Sequence, residues 1–108
     1  MRKIESQMIA ALKGNINWTS ANTAVVFEND EKNTSTVYLH GNKIAELDED
    51  SLTVFDGGYQ SKTTKSRLNV LINEFCNAIT DGIFQENFQW FVRDNNEVKK
   101  FTGSYTFA

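Results

Sequence analysis

Between Gly57 and Phe75 the sequence runs GGYQSKTTKSRLNVLINEF, a basic and hydroxyl-rich stretch set directly before an apolar repeat of helical spacing. Ser61, Thr63 and Thr64 can each cap a helix there, because a side-chain oxygen accepts from the free N–H groups of the first turn. Lys62, Lys65 and Arg67 crowd the same helix start. Cations favour the opposite end of a helix, since the aligned peptide dipoles leave the N-terminus positive by about half a charge. A bound carboxylate or phosphate would relieve that conflict by accepting from the free N–H groups and the side chains together. Two readings therefore stand side by side: a capped helix start, or an anion site with Ser61, Lys62, Thr63, Thr64, Lys65 and Arg67 as donors. Under the second, neutralising all three cations abolishes binding and leaves the melting temperature nearly unchanged. The stretch is not a phosphate-binding P-loop, whose order of Gly, Lys and Ser/Thr is missing.

A second group lies near the C-terminus. Lys99-Lys100-Phe101-Thr102-Gly103-Ser104-Tyr105-Thr106-Phe107 alternates aromatic and polar residues after a basic pair, as an RNA-recognition strand does. Aromatic faces on a sheet stack bases, so Trp90, Lys99, Lys100, Tyr105 and Phe107 form a candidate single-stranded nucleic-acid surface. Core packing or a dimer interface accounts for the same rings.

The remaining chemistry is sparse. Glu46, Asp48, Glu49 and Asp50 read as a solvated turn, because the calcium-loop spacing begun by Asp48 and Asp50 lacks the ligands and glycine that should follow. With one His and one Cys, the usual zinc combinations cannot be assembled. His40 reads as structural and Cys76 as a small buried hydrophobe. Paired carboxylates such as Glu46 and Asp48 can do acid and base work only in a pocket that shifts their protonation, and nothing in the sequence supplies one. A noncatalytic protein without metal or cofactor is the expectation.

Composition sets the frame for these groups. The chain has 108 residues, of which 40% are hydrophobic and 23% charged, with eight Phe, three Tyr and two Trp. That profile suits one folded domain spanning residues 1–108. A net charge of -3 leaves no whole-molecule field for nucleic acid, so any such role needs a local patch. No apolar run reaches the roughly 18 residues of a membrane span, and the residues from Met1 to Gln7 lack the apolar stretch of a signal peptide. A cytoplasmic protein is expected.

The periodicity predicts the elements that must position these residues. Ile4, Met8 and Leu12, with Ile9 and Ala11 beside them, predict a helix from about Arg2 to Lys13, closed by Gly14-Asn15. From Thr23 to Phe55 the period falls to two, predicting strands at Thr23–Phe27, Ser35–His40, Lys43–Leu47 and Ser51–Phe55, with Gly41-Asn42 as one of the turns. A second helix is predicted from about Thr63 to Ile79 on the stripe Leu68, Leu71, Ile72, Phe75 and Ile79, with Gly82 to terminate it. Phe88, Trp90 and Val92 alternate before the Asp94-Asn95-Asn96 turn, predicting a closing hairpin that extends the sheet. The fold expected is α+β: an antiparallel meander of four strands, a helix, a C-terminal hairpin, and the first helix packed on the sheet. Tyr38, Phe91 and Tyr105 are left for the other sheet face, which a homodimer would cover.

Two stretches also carry a family resemblance. Val37-Tyr38-Leu39-His40-Gly41-Asn42-Lys43-Ile44-Ala45 and Gly58-Tyr59-Gln60-Ser61-Lys62-Thr63-Thr64-Lys65-Ser66-Arg67-Leu68-Asn69 resemble small uncharacterised bacteriophage proteins. In these, an LHGN.IA strand pair leads to a G..S.TTK.RLN helix start, with Asn22-Thr23 upstream and a pair such as Gln89-Trp90 downstream. The resemblance spans about residues 18 to 92. It implies a phage-encoded protein acting in the host cytoplasm and brings no activity with it. The function expected is noncatalytic binding of a host protein or an anionic small molecule, directed at host machinery or host defence. Single-stranded nucleic-acid binding is the alternative.

Overall fold

The computed structural model describes residues 2–108. The first apolar stripe builds α1 (Lys3–Gly14), and Asn15 closes it in the left-handed conformation at φ 52°. Ile16 then donates its N–H to the Ala11 carbonyl, which satisfies one of the last orphan acceptors. Strands β1 (Trp18–Ser20), β2 (Thr23–Glu28), β3 (Thr34–Leu39), β4 (Asn42–Leu47) and β5 (Leu52–Phe55) follow, then helix α2 (Lys62–Phe75). Strands β6 (Gly82–Glu86), β7 (Gln89–Asp94), β8 (Glu97–Lys100) and β9 (Ser104–Phe107) complete the chain.

The architecture is α+β, with a six-stranded antiparallel sheet in the order β1-β2-β3-β4-β5-β9 and a three-stranded sheet in the order β6-β7-β8. The expected meander is β2 to β5. Val25 faces Val37, Val37 faces Ala45, and Ala45 faces Val54, so the buried members of the alternation stack across four strands. A register shift after Val37 lets Ile44 and Ala45, neighbours in sequence, both be buried. Helix α1 lies on this face with Met8 and Leu12, and α2 adds Leu68, Leu71 and Ile72. Trp90 and Phe101, their rings 5.8 Å apart, bring the small sheet into the same core.

Four expectations are corrected. Helix α2 stops at Phe75, not Ile79, and Ile79 is 82% exposed. The reason is local: the Asp81 carboxylate accepts from the N–H of Asn77 at 3.0 Å and of Asn95 at 2.8 Å, and the Asn77 side chain accepts from Ile79. Short polar side chains here take backbone donors that a longer helix would need. Gly82 therefore terminates nothing; it opens β6, a strand the periodicity did not separate. The hairpin of β7 and β8 belongs to the small sheet, and only β9 extends the meander, beside β5. The turn after β3 is His40-Gly41, with φ of 51° and 78°, one residue before the Gly41-Asn42 position expected. Finally, the aromatics assigned to one face are scattered. Tyr38 lies on the outer face of the large sheet, Phe91 on the small sheet, and Tyr105 beside Val54 on the core side.

Candidate functional site

At the start of α2, Ser61 is the cap. Its hydroxyl oxygen accepts the Thr64 N–H at 3.1 Å and lies 2.9 Å from the Thr64 hydroxyl. Thr64 is buried, and its own hydroxyl donates to the Tyr59 carbonyl at 3.4 Å. Lys62 points to solvent, while the Lys65 ammonium reaches the Gln85 side chain at 3.4 Å. Thr63 lines a groove of about 410 Å³ together with Leu39, His40, Asn42, Ile44 and Tyr59. The two stretches quoted for the phage resemblance thus meet at one groove, the strand turn on one wall and the helix start on the other.

Arg67 does not belong to this groove. Its side chain is 3% exposed and donates to the Glu5 carboxylate of α1 at 2.8 Å. It also donates through Nε to the Thr23 hydroxyl at 3.2 Å and through Nη2 to Asn22 at 3.5 Å. The Ser66 hydroxyl reaches the same Glu5 oxygen at 2.7 Å, and the Arg2 N–H reaches the other at 3.3 Å. Burial alone would raise the Glu5 pKa, but these donors outweigh it and hold the carboxyl below its ordinary value. Arg67 is therefore a fixed tie between both helices and the β1–β2 turn. The reading of three solvent-facing cations around an anion is corrected on this point, because a charged side chain is buried only with its partners in place.

The proposed base-stacking set is also corrected. Trp90 is 1% exposed and Phe107 4%, so both rings are filled in on all sides and cannot receive a base. Tyr105 is half-buried, edge-on to Phe107, and donates its hydroxyl to Asp94 at 2.6 Å; that bond, more than burial, pushes its pKa up to about 12. Lys99 sits 5.7 Å from the Tyr105 ring centre, and Lys99 and Lys100 are exposed.

A different aromatic surface is present. Phe84 and Phe91 face each other across β6 and β7 with ring centres 5.5 Å apart and planes 20° from parallel. With Val98, which is 52% exposed, they border a concavity of about 450 Å³. At the tip of the same hairpin Phe88 is 96% exposed, and its φ of 63° is in the left-handed region. Glu86 pairs with Gln89, so Asn87-Phe88 is a two-residue hairpin turn whose second position ordinarily takes glycine. The signal was available in the sequence. Folding the chain at Asn87 sets Phe84 opposite Phe91, whereas treating Phe88 as a strand residue hides that pairing.

Among the described residues no group of three or more His, Cys, Asp or Glu side chains is placed to hold a metal ion, and no helix is long and apolar enough to cross a membrane. Fold and site define an α+β protein of two antiparallel sheets with an exposed aromatic hairpin. The family model described as Kyanoviridae Gp96 protein matches residues 1–108, and the chain belongs to that family, a family of cyanophage proteins. Comparison with curated proteins and with solved structures finds no match.

Proposed function

We propose that this phage protein is a noncatalytic binding protein that contacts a host protein through the tip and outer face of its three-stranded sheet, acting on host machinery or host defence in the host cytoplasm. The observation that carries the reading is Phe88. A bulky residue in the left-handed region costs about 1–2 kcal/mol of backbone strain. Leaving its ring in water forgoes about 2 kcal/mol of burial as well. Both costs are met at one position, at the apex of a hairpin whose flank leaves Phe84 and Phe91 half-buried and Val98 exposed. A partner that buries the ring recovers the cost of its exposure, and a strained residue kept at an exposed apex marks a functional position. Sequestration of a small anion has less support, since Arg67 is committed to Glu5 and the Ser61 and Thr64 hydroxyls to each other.

The test is affinity purification of tagged wild-type protein and of F88G from cyanobacterial host lysate, with mass spectrometry of what is retained. A host protein held by wild type and lost from F88G, which keeps the fold and relaxes the turn, supports the reading. Equal retention by both refutes it. A second reading, single-stranded nucleic acid on the same face, draws on Lys100 lying opposite Phe91 and on Arg93 lying on the same side of β7. It requires oligonucleotide binding that weakens steeply with salt and is lost in F91S.

A further inference from the structure

The outer edge of β8 carries a self-complementary pattern. Strand β8 ends the small sheet on one side, and all four of its residues, Glu97, Val98, Lys99 and Lys100, are exposed. The opposite edge is capped at Ile83: the Asn69 side chain of α2 donates to the Ile83 carbonyl and accepts the Ile83 N–H, each at 2.8 Å. Of the two edges of the small sheet, β8 is the one that no such side-chain pair closes among the described residues. Its polarity follows from the Phe101 N–H, which donates to the Trp90 carbonyl at 3.0 Å. Backbone groups alternate along a strand, so Glu97 and Lys99 turn theirs toward β7, and Val98 and Lys100 turn theirs outward.

We infer that β8 pairs antiparallel with β8 of a second copy of this chain, in the register centred on Val98. A twofold axis that relates antiparallel edge strands stands perpendicular to the sheet, so each face continues into the same face of the copy. Only registers that place a residue opposite itself are then allowed. Centring on Glu97, Lys99 or Lys100 sets two like charges face to face, which destabilises a strand pair. Centring on Val98 sets Val98 against its own copy and Glu97 against Lys99 of the other chain, twice over. In that register the outward N–H and C=O of Val98 form two reciprocal hydrogen bonds. Lysines on an edge strand usually repel strand addition. Here Glu97, two residues from Lys99 and on the same face, converts that protection into recognition of one partner only. The Asn96 N–H is already donated to the Thr80 carbonyl at 3.0 Å, so the ladder stays short and the association weak and concentration-dependent.

The pairing leaves the Phe84 and Phe91 face uncovered and places two copies of it on one side of a continuous sheet. It stands independently of the host contact proposed above, because Glu97 and Lys99 lie on the opposite face from those rings. Sedimentation equilibrium over a wide concentration range tests it, using wild type, E97K, K99E and an equimolar mixture of the two variants. Wild type should dimerise as concentration rises. Each variant alone should stay monomeric, because positions 97 and 99 of the two copies then meet with like charge, positive in E97K and negative in K99E. The mixture should reassociate as a heterodimer, since every opposed pair regains opposite charge. Wild type that stays monomeric at its highest soluble concentration overturns the inference. So does dimerisation of either variant alone to the wild-type extent, or a mixture that remains monomeric.

Discussion

Replacing Arg67 by alanine should unfold much of the population under mild stress, although the residue looks like a surface cation in the sequence. The guanidinium and the Glu5 carboxylate are 3% and 2% exposed and 2.8 Å apart. Removing one member of such a pair leaves the other charged, buried and unpaired, at a cost of about 3–5 kcal/mol. A domain of this size has a total stability of about 5–15 kcal/mol, so the loss is a large fraction of the whole. Urea denaturation followed by circular dichroism reads it directly, as a fall in the midpoint at unchanged slope. E5L should cost about as much as R67A, for the same reason from the other side. The double variant E5L/R67M should be more stable than either single one, because no charge is then stranded. A loss below about 1 kcal/mol for R67A, or a double variant as poor as the two singles added together, would refute the buried-pair reasoning.

The same network gives a pH dependence whose sign is fixed. Glu5 has a lowered pKa in the folded protein, so the unfolded chain binds its proton first as pH falls. The stability it contributes is fully present above the ordinary value of 4.5 and is lost as pH drops below that toward the folded value. E5Q should flatten this part of the acid-denaturation profile. An acid limb unchanged by E5Q would place the titrating group elsewhere. Two further outcomes test the joints of the fold. N69A removes both side-chain hydrogen bonds to Ile83 and should cost about 2 kcal/mol; hydrogen exchange should show the Ile83 amide losing protection, and unchanged protection would mean another group closes that edge. The Cys76 thiol is pushed by burial, and then by Asp81 and Asp94, from 9.0 to about 11, which leaves about a hundredfold less thiolate than in the unfolded chain. Alkylation at pH 8 should therefore be far slower in buffer than in urea, and equal rates would contradict the burial.

Much of the fold was legible because its periodicities are local. The two-residue period from Thr23 to Phe55 marks strands whose neighbours in sequence are neighbours in the sheet, so β2 to β5 could be placed without knowing anything distant. The helix α2 boundary was not legible, because Ile79 continues the apolar stripe and only the turn built around Asp81 shows why the helix stops. That turn depends on Asn95, which lies fourteen residues further on. The split into two sheets was hidden for a similar reason. Whether Phe101 follows β7 or β5 is decided by its contact with Trp90, and alternation alone treats Phe101, Tyr105 and Phe107 as one face.

The candidate site shows the limit most sharply in Arg67. Charge and spacing placed it with Lys62 and Lys65 at a helix start, and the electrostatic conflict there is physically sound. Its resolution is an internal one: Glu5, 62 residues earlier, supplies the anion, and Ser61 supplies the cap. A carboxylate contributed by another helix satisfies Arg67 as effectively as a ligand does, and no local pattern separates the two. What does separate them is burial, since a ligand-binding arginine must be reached from solvent and a tie between helices must not. By the same criterion Trp90 and Phe107 leave the candidate surface, and Phe88, held in the left-handed region at an exposed apex, enters it.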